Sequence, residues 1–258
     1  MRSVLLQKKD EIGSIILNRP KQRNALSIEL MDTFQQTLYE IAKDESLHVV
    51  IIRGNGPIFC SGHDINELIG EDHDSEYYRK IFASCSLLMQ TLQKLPQPVI
   101  AQVHGAALAA GCQLVCECDL AIADTNAVFS TPGVKIGLFC STPMVPLCRT
   151  IGRKRTMEML FTGRSISAQT AKDIGLINEV VSPELLDETT KKLALEIKKY
   201  SPSILEFGKR AFYHQLDKEQ ELAYEYGIET MTENCLLEDA QEGMKAFLKK
   251  RKPKWKKR

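Results

Sequence analysis

Two short runs of small residues, about 40 residues apart, constrain this chain more than anything else in it: Phe59 to Asp64 (FCSGHD) and His104 to Leu114 (HGAALAAGCQL). Each sits where backbone N–H groups can be left without a partner. In the first, Gly62 permits a turn that exposes the N–H of His63. In the second, Ala109, Ala110 and Gly111 open a helix whose first N–H groups have no intrahelical acceptor. Two such donors can hold one oxyanion, and a thioester oxygen becoming an enolate suits the position. Either run alone is explained as well by tight helix–strand packing.

The composition sets few other limits. At 258 residues the chain is long enough for one large domain with an apolar interior. Its 34 basic residues balance 33 acidic ones, which removes any bulk signal for nucleic acid or a membrane surface. Eight cysteines, with Cys112, Cys116 and Cys118 in small or apolar runs, read as reduced, buried thiols. No second cluster has zinc-site spacing, so no metal is expected. The opening residues MRSVLLQKKDEIGSIILN lack the apolar core of a secretory leader, and Asp10 and Glu11 break any transit-peptide character. A cytoplasmic protein is the expectation.

Apolar periodicity sketches the architecture. Val4 to Leu6 and Ser14 to Leu17 form a hairpin, and Ser27 caps a helix from Ile28 to Ala42 with Leu30, Phe34, Leu38 and Ile41 on one face. Val49 to Ile52 and Val99 to Val103 are buried strands, separated by a helix from Ser75 to Leu95. Strand-like pieces follow at Asp119 to Ala123 and Ala127 to Ser130. Beyond Gly152 the pattern is helical: 153–161, 167–174, 183–199, 202–214, 217–232 and 237–250, with Ile177 to Val181 extended. The fold class is α/β, with a core over residues 1–200 and a helical region over 201–258.

Along these elements the chain resembles the crotonase (enoyl-CoA hydratase/isomerase) family. The match is carried by LNRPKQRNALS (17–27), GPIFCSGHDINEL (56–68), PVIAQVHGAALAAGCQLVCECDLAIA (98–123), FSTPGVKIGL (129–138) and FTGRSISAQTAKDIGLINEVV (161–181). Within that family, AAGCQL, TPGV and GLFCSTP resemble the enoyl-CoA hydratase domain-containing protein 3 branch. The resemblance implies a ClpP-like fold of repeated β–β–α turns and a C-terminal region that builds a trimer or a dimer of trimers. It also implies an acyl-CoA thioester as partner, with coenzyme A entering as part of the substrate rather than as a cofactor. Carried over by position, the oxyanion donors are the main-chain N–H groups of His63 and Ala110. Arg23, Ala25, Leu26, Ser61, Asp64, Ile65, Ala107 and Gly111 fall on substrate-binding positions.

Two departures stand beside the matches. Where hydratases of the family carry glutamates, this chain has Gln113 and Gly133. Neutral glutamine exchanges no proton near neutral pH and glycine has none to exchange, so efficient hydration is not expected. Enolate chemistry by another route, acyl-CoA binding without turnover, and weak or substrate-assisted hydration stay open, in a setting of fatty acyl-CoA metabolism.

Remaining candidates have plainer readings. Asp64 opens DINEL as a cap with Glu67 in the reciprocal position. The His63 side chain is given no base role. His104 bonds backbone. Glu117, four residues after Gln113, is structural, and Cys140 would need a lowered pKa to act as a nucleophile. The basic run from Lys249 to Arg258 either meets coenzyme A phosphates or is solvated.

Overall fold

The computed structural model describes residues 2–70 and 72–256. The chain opens with the hairpin, β1 (Val4–Lys9) and β2 (Ile12–Leu17), and crosses through α1 (Ile28–Ala42) to β3 (Val49–Gly54). α2 (Ser75–Lys94) leads to β4 (Val99–Val103) and β5 (Ala106–Leu108), and α3 (Ala110–Glu117) to β6 (Leu120–Asp124) and β7 (Val128–Ser130). Then come α4 (Met144–Thr162), β8 (Ile166–Ser167), α5 (Ala168–Asp173), β9 (Glu179–Val181) and α6 (Leu186–Ile197). α7 (Pro202–Gln215), α8 (Gln220–Leu236) and α9 (Glu238–Leu248) complete it.

The strands form a six-stranded sheet in the order β1-β2-β3-β4-β6-β9 and a three-stranded sheet β5-β7-β8. Only the opening hairpin is antiparallel in the larger sheet. Buried parallel strands carry apolar residues on both faces, and β3 shows why. Val50 and Ile52 join Phe34 and Leu38 of α1 in one core, while Val49 and Ile51 meet Ala194 of α6 in a second. Helices on both sides of the sheet are the consequence.

The caps follow the sequence. Ser27 Oγ accepts the Leu30 N–H at 3.2 Å and starts α1. The apolar stripe Leu30, Phe34, Leu38 and Ile41 is fully buried. α4 begins nine residues earlier than its periodicity suggests, because Gly152 (φ 75°) interrupts it and its first part follows a different face. The small sheet's β5 carries too few residues for an alternating signal. α8 has no buried residue at all, with Leu222, Ile228, Met231 and Leu236 more than half exposed.

All eight cysteines are free thiols. Cys112 and Cys118 are buried as expected, whereas Cys116 is only partly covered and packs at the margin of the core.

Candidate functional site

Three loops are laced together on one side of the sheet. Arg23 and Asn24, in the β2–α1 connection, both adopt left-handed conformations. The buried Asn24 amide donates to the carbonyls of Asn55, Ile58 and Phe59 at 2.9, 2.9 and 3.1 Å, and its Oδ1 accepts from the Arg19 N–H. That fixes the segment after β3 against the start of α1. A short parallel ladder extends the tie: Leu26 N–H donates to Gly62 O at 2.8 Å, and Asp64 N–H donates to Leu26 O at 3.2 Å. Since alternate residues of a ladder face opposite ways, the His63 N–H points away from it. Among the described residues it has no acceptor.

The second run is placed by a similar ladder. Cys60 N–H donates to Ala106 O and Leu108 N–H to Cys60 O, and Ala109 N–H donates to Ser130 O at 2.8 Å. Ala109 then turns the chain into α3 at φ 49° and ψ −117°, a region costly for any residue with a β-carbon. Ala110 is the first residue of α3, and its N–H likewise has no acceptor among the described residues.

Glycine allows the two runs to touch. A β-carbon on Gly62 (φ 95°) would lie 3.3 Å from the Ala110 nitrogen and 2.9 Å from the Ala109 β-carbon. One on Gly111 would lie 2.4 Å from Cys60 O.

Both N–H-bearing residues line a cavity of about 790 Å³. Of the residues singled out by the sequence, Arg23, Ala25, Ser61, Ile65 and Gly133 join His63 and Ala110 in its wall. Leu26, Ala107 and Gly111 do not; Leu26 and Ala107 are buried in the ladders, and Gly111 in the first turn of α3. Asp64 is also off the wall, 7% exposed, accepting from Arg19 at 3.0 Å and from Asn66. Burial pushes its carboxyl up, but these bonds outweigh burial and hold it below the usual range. Glu67 is not its reciprocal cap, because Glu67 Oε2 accepts the Ile28 N–H at 2.8 Å and caps α1 instead.

Several wall residues are not among those singled out as site candidates. Leu68 and Phe82 close one side, and Leu138, Phe139 and Pro143 the other. Periodicity does not report loop residues that reach the site only through tertiary packing.

Among the described residues no carboxylate lines the cavity. Gln113 is 3% exposed and off the wall, and its Oε1 has no partner among the described residues. The Cys140 thiol packs against Gly133. Burial raises the Cys140 pKa above the ordinary value, the opposite of an activated nucleophile. Glu117 lies off the wall too, bonded by the Gln93 amide, with burial raising its carboxyl to about 7. His104 Nε2 lies 2.9 Å from Gly56 O, a backbone partner as expected.

The basic terminal run is tied back onto the protein. Arg251 pairs with Glu242, Lys256 with Glu238, and Trp255 Nε1 donates to Lys199 O. Residues 257 and 258 of that run lie outside the described residues.

Comparison with known proteins extends this picture. The family model described as enoyl-CoA hydratase/isomerase matches residues 7–258. The chain is 47% identical over 251 residues to enoyl-CoA hydratase domain-containing protein 3, mitochondrial, of Xenopus laevis, covering 97% of this chain and 85% of that one. The crystal structure of the human protein of that name superposes with a TM-score of 0.95 at 44% identity, covering 98% of this chain and all of the other. An enoyl-CoA hydratase from Mycobacterium smegmatis also reaches 0.95, at 42% identity and 98% coverage of each.

These likenesses correct one expectation. Five vertebrate relatives, 44–47% identical, are named as mitochondrial, which points away from the cytoplasm. Free thiols mark a reducing surrounding without saying which one, so composition misled here. The α/β architecture, the motifs in their order and the match across nearly the whole length lead to one conclusion: the chain belongs to the enoyl-CoA hydratase/isomerase, or crotonase, family.

Proposed function

We propose that this protein binds an acyl-CoA thioester and holds its carbonyl oxygen with the main-chain N–H groups of His63 and Ala110. One observation carries the reading: both donors lack acceptors among the described residues, and both belong to the wall of a single cavity. Removing one such donor costs other enzymes on the order of 3 kcal/mol in transition-state stabilisation, so a retained pair is a substantial asset for enolate chemistry. Arg23, at the wall, and Ala25 supply further contacts to the thioester's coenzyme A portion.

Gln113 and Gly133 limit the chemistry. With neither position able to exchange a proton, paired acid–base hydration has no carboxylates to run on. A reaction through the enolate needs another proton carrier or the substrate itself. The second reading is acyl-CoA binding without turnover, and Gln113 and Gly133, which exchange no proton, favour it. Incubation with crotonyl-CoA and longer enoyl-CoAs, followed by mass spectrometry and calorimetry, tests both. Failure to bind any thioester overturns the proposal; binding with product formation favours the enzyme, and binding without it the second reading.

The exposed apolar face of α8 supports self-assembly through residues 201–258, as a trimer or a dimer of trimers. Light scattering at micromolar concentration tests it. A monomer overturns it.

A further inference from the structure

The His63 N–H is the last link of a hydrogen-bonded chain that begins at a charged side chain. Arg19 Nη1 donates to Ala25 O at 2.8 Å. The N–H of that same peptide, on Leu26, donates to Gly62 O at 2.8 Å. The peptide carrying Gly62 O ends in the His63 N–H. In a trans peptide the carbonyl and the N–H point in opposite directions, so each bond in the series aims the next donor onward. Pinning Gly62 O to Leu26 turns the His63 N–H away from Leu26.

Arg19 is not one of the residues that line the cavity, so its effect on a ligand there passes through these two peptides. Its other terminal nitrogen, Nη2, donates to Asp64 Oδ2 at 3.0 Å, while Asp64 Oδ1 accepts from Asn66. The carboxylate steadies the guanidinium and offsets part of its charge. The two side chains are 21% and 9% exposed, so water screens them weakly. Ala25 O also accepts the Ser27 N–H at 3.0 Å, a neutral donor.

We propose that Arg19 is a positioning residue that orients and polarises the His63 N–H toward a thioester carbonyl oxygen, acting through the Ala25–Leu26 and Gly62–His63 peptides. A charged donor draws electron density from the Ala25 carbonyl. The Leu26 N–H then donates more strongly to Gly62 O, and the His63 N–H gains in turn. The neutral Ser27 N–H supplies no such charge.

This inference rests on the acyl-CoA reading above. Infrared difference spectroscopy on the full chain, saturated with butyryl-CoA isotopically labelled at the thioester carbon, reads the carbonyl stretch. Binding is expected to lower its frequency relative to free butyryl-CoA. Arg19→Met should cut that lowering by roughly 10–30%, the strengthening supplied by one link of a polarised chain. Arg19→Lys, which keeps a charged donor, should recover part of it. Asp64→Asn keeps an oxygen for Asn66 and removes the offsetting charge, so the lowering should grow. A purely structural tie predicts that the Arg19 and Asp64 substitutions shrink it alike, because both loosen the same ladder. The parent's frequency in folded Arg19→Met, or an unchanged or smaller lowering in Asp64→Asn, overturns the inference alone. The Asp64 variant decides it where Arg19→Met does not fold. Butyryl-CoA that fails to bind the parent, or binds at its free-solution frequency, overturns the acyl-CoA reading or its oxygen contact, and the inference with it.

Discussion

The Sγ of Cys140 stands 2.9 Å from the point where a β-carbon on Gly133 would be built, and Leu138 O is equally close. The loop after Gly133 therefore closes over a residue with no side chain. Gly133→Ala is expected to lose about 1–3 kcal/mol through overpacking. Cys140→Ala on that background should recover part of it, since only the sulfur contact is relieved. Urea denaturation of the four proteins in a double-mutant cycle measures the coupling. A Gly133→Ala protein as stable as the parent would rule out the tight closure. The same crowding opposes Gly133→Glu, so Gln113→Glu with Gly133→Glu should not install hydration unless the 138–140 loop moves.

Ala109 offers the opposite case. Its φ of 49° with ψ of −117° suits glycine, and its β-carbon lies close to where a Gly62 side chain would be. Ala109→Gly relieves strain of order 1–3 kcal/mol and raises the unfolded chain's entropy by roughly 0.4–1 kcal/mol. A net gain of about 1 kcal/mol is expected. The Ala109 N–H bond to Ser130 O and the Gln113 N–H bond to Ala109 O should keep the backbone in place. A lower urea midpoint for the variant would show that the alanine is unstrained.

Much of this arrangement was legible where local pattern and burial coincide. The α1 stripe, the cap at Ser27 and the buried β4 all follow from spacing. The Gly62 and Ala109–Gly111 runs were informative because small residues are needed where two backbones touch. Partners distant in sequence left no such trace. Glu67 caps a helix that begins 39 residues earlier, and Asp64 binds Arg19 across 45 residues. Leu138 and Phe139 enter the cavity wall only because their loop folds back over Gly133, which is a result of packing that no periodicity encodes.

Lys209 anchors α7 to the sheet. Its side chain is buried, and its ammonium donates to Leu92 O and Gln97 O at 3.0 Å and to Asp119 at 2.6 Å. Asp119 also accepts from Tyr213 and from the Val99 N–H. Lys209→Met would leave a charged carboxylate and two carbonyls without this donor. A loss of about 3–5 kcal/mol is expected from breaking such a pair. Guanidinium denaturation reads it directly, and a change under 1 kcal/mol would mean the pair contributes little.

Glu117 and His63 push stability in opposite directions with pH. Burial raises Glu117 from 4.5 to about 7, against weaker opposition from the Gln93 hydrogen bond and the Arg149 charge. Between those values the folded protein keeps a proton that the unfolded chain has released, so this group makes stability fall as pH rises. Burial lowers His63 from 6.5 to about 4. There the unfolded chain binds the extra proton, and stability rises with pH. Each swing amounts to about 3 kcal/mol, and the two oppose each other from about pH 4.5 to 6.5. Glu117→Gln removes one of them. Relative to the parent, the variant should gain about 3 kcal/mol between pH 4.5 and pH 8, read from urea midpoints across that range. Parallel profiles for the two proteins would mean that Glu117 ionises at the same pH folded and unfolded.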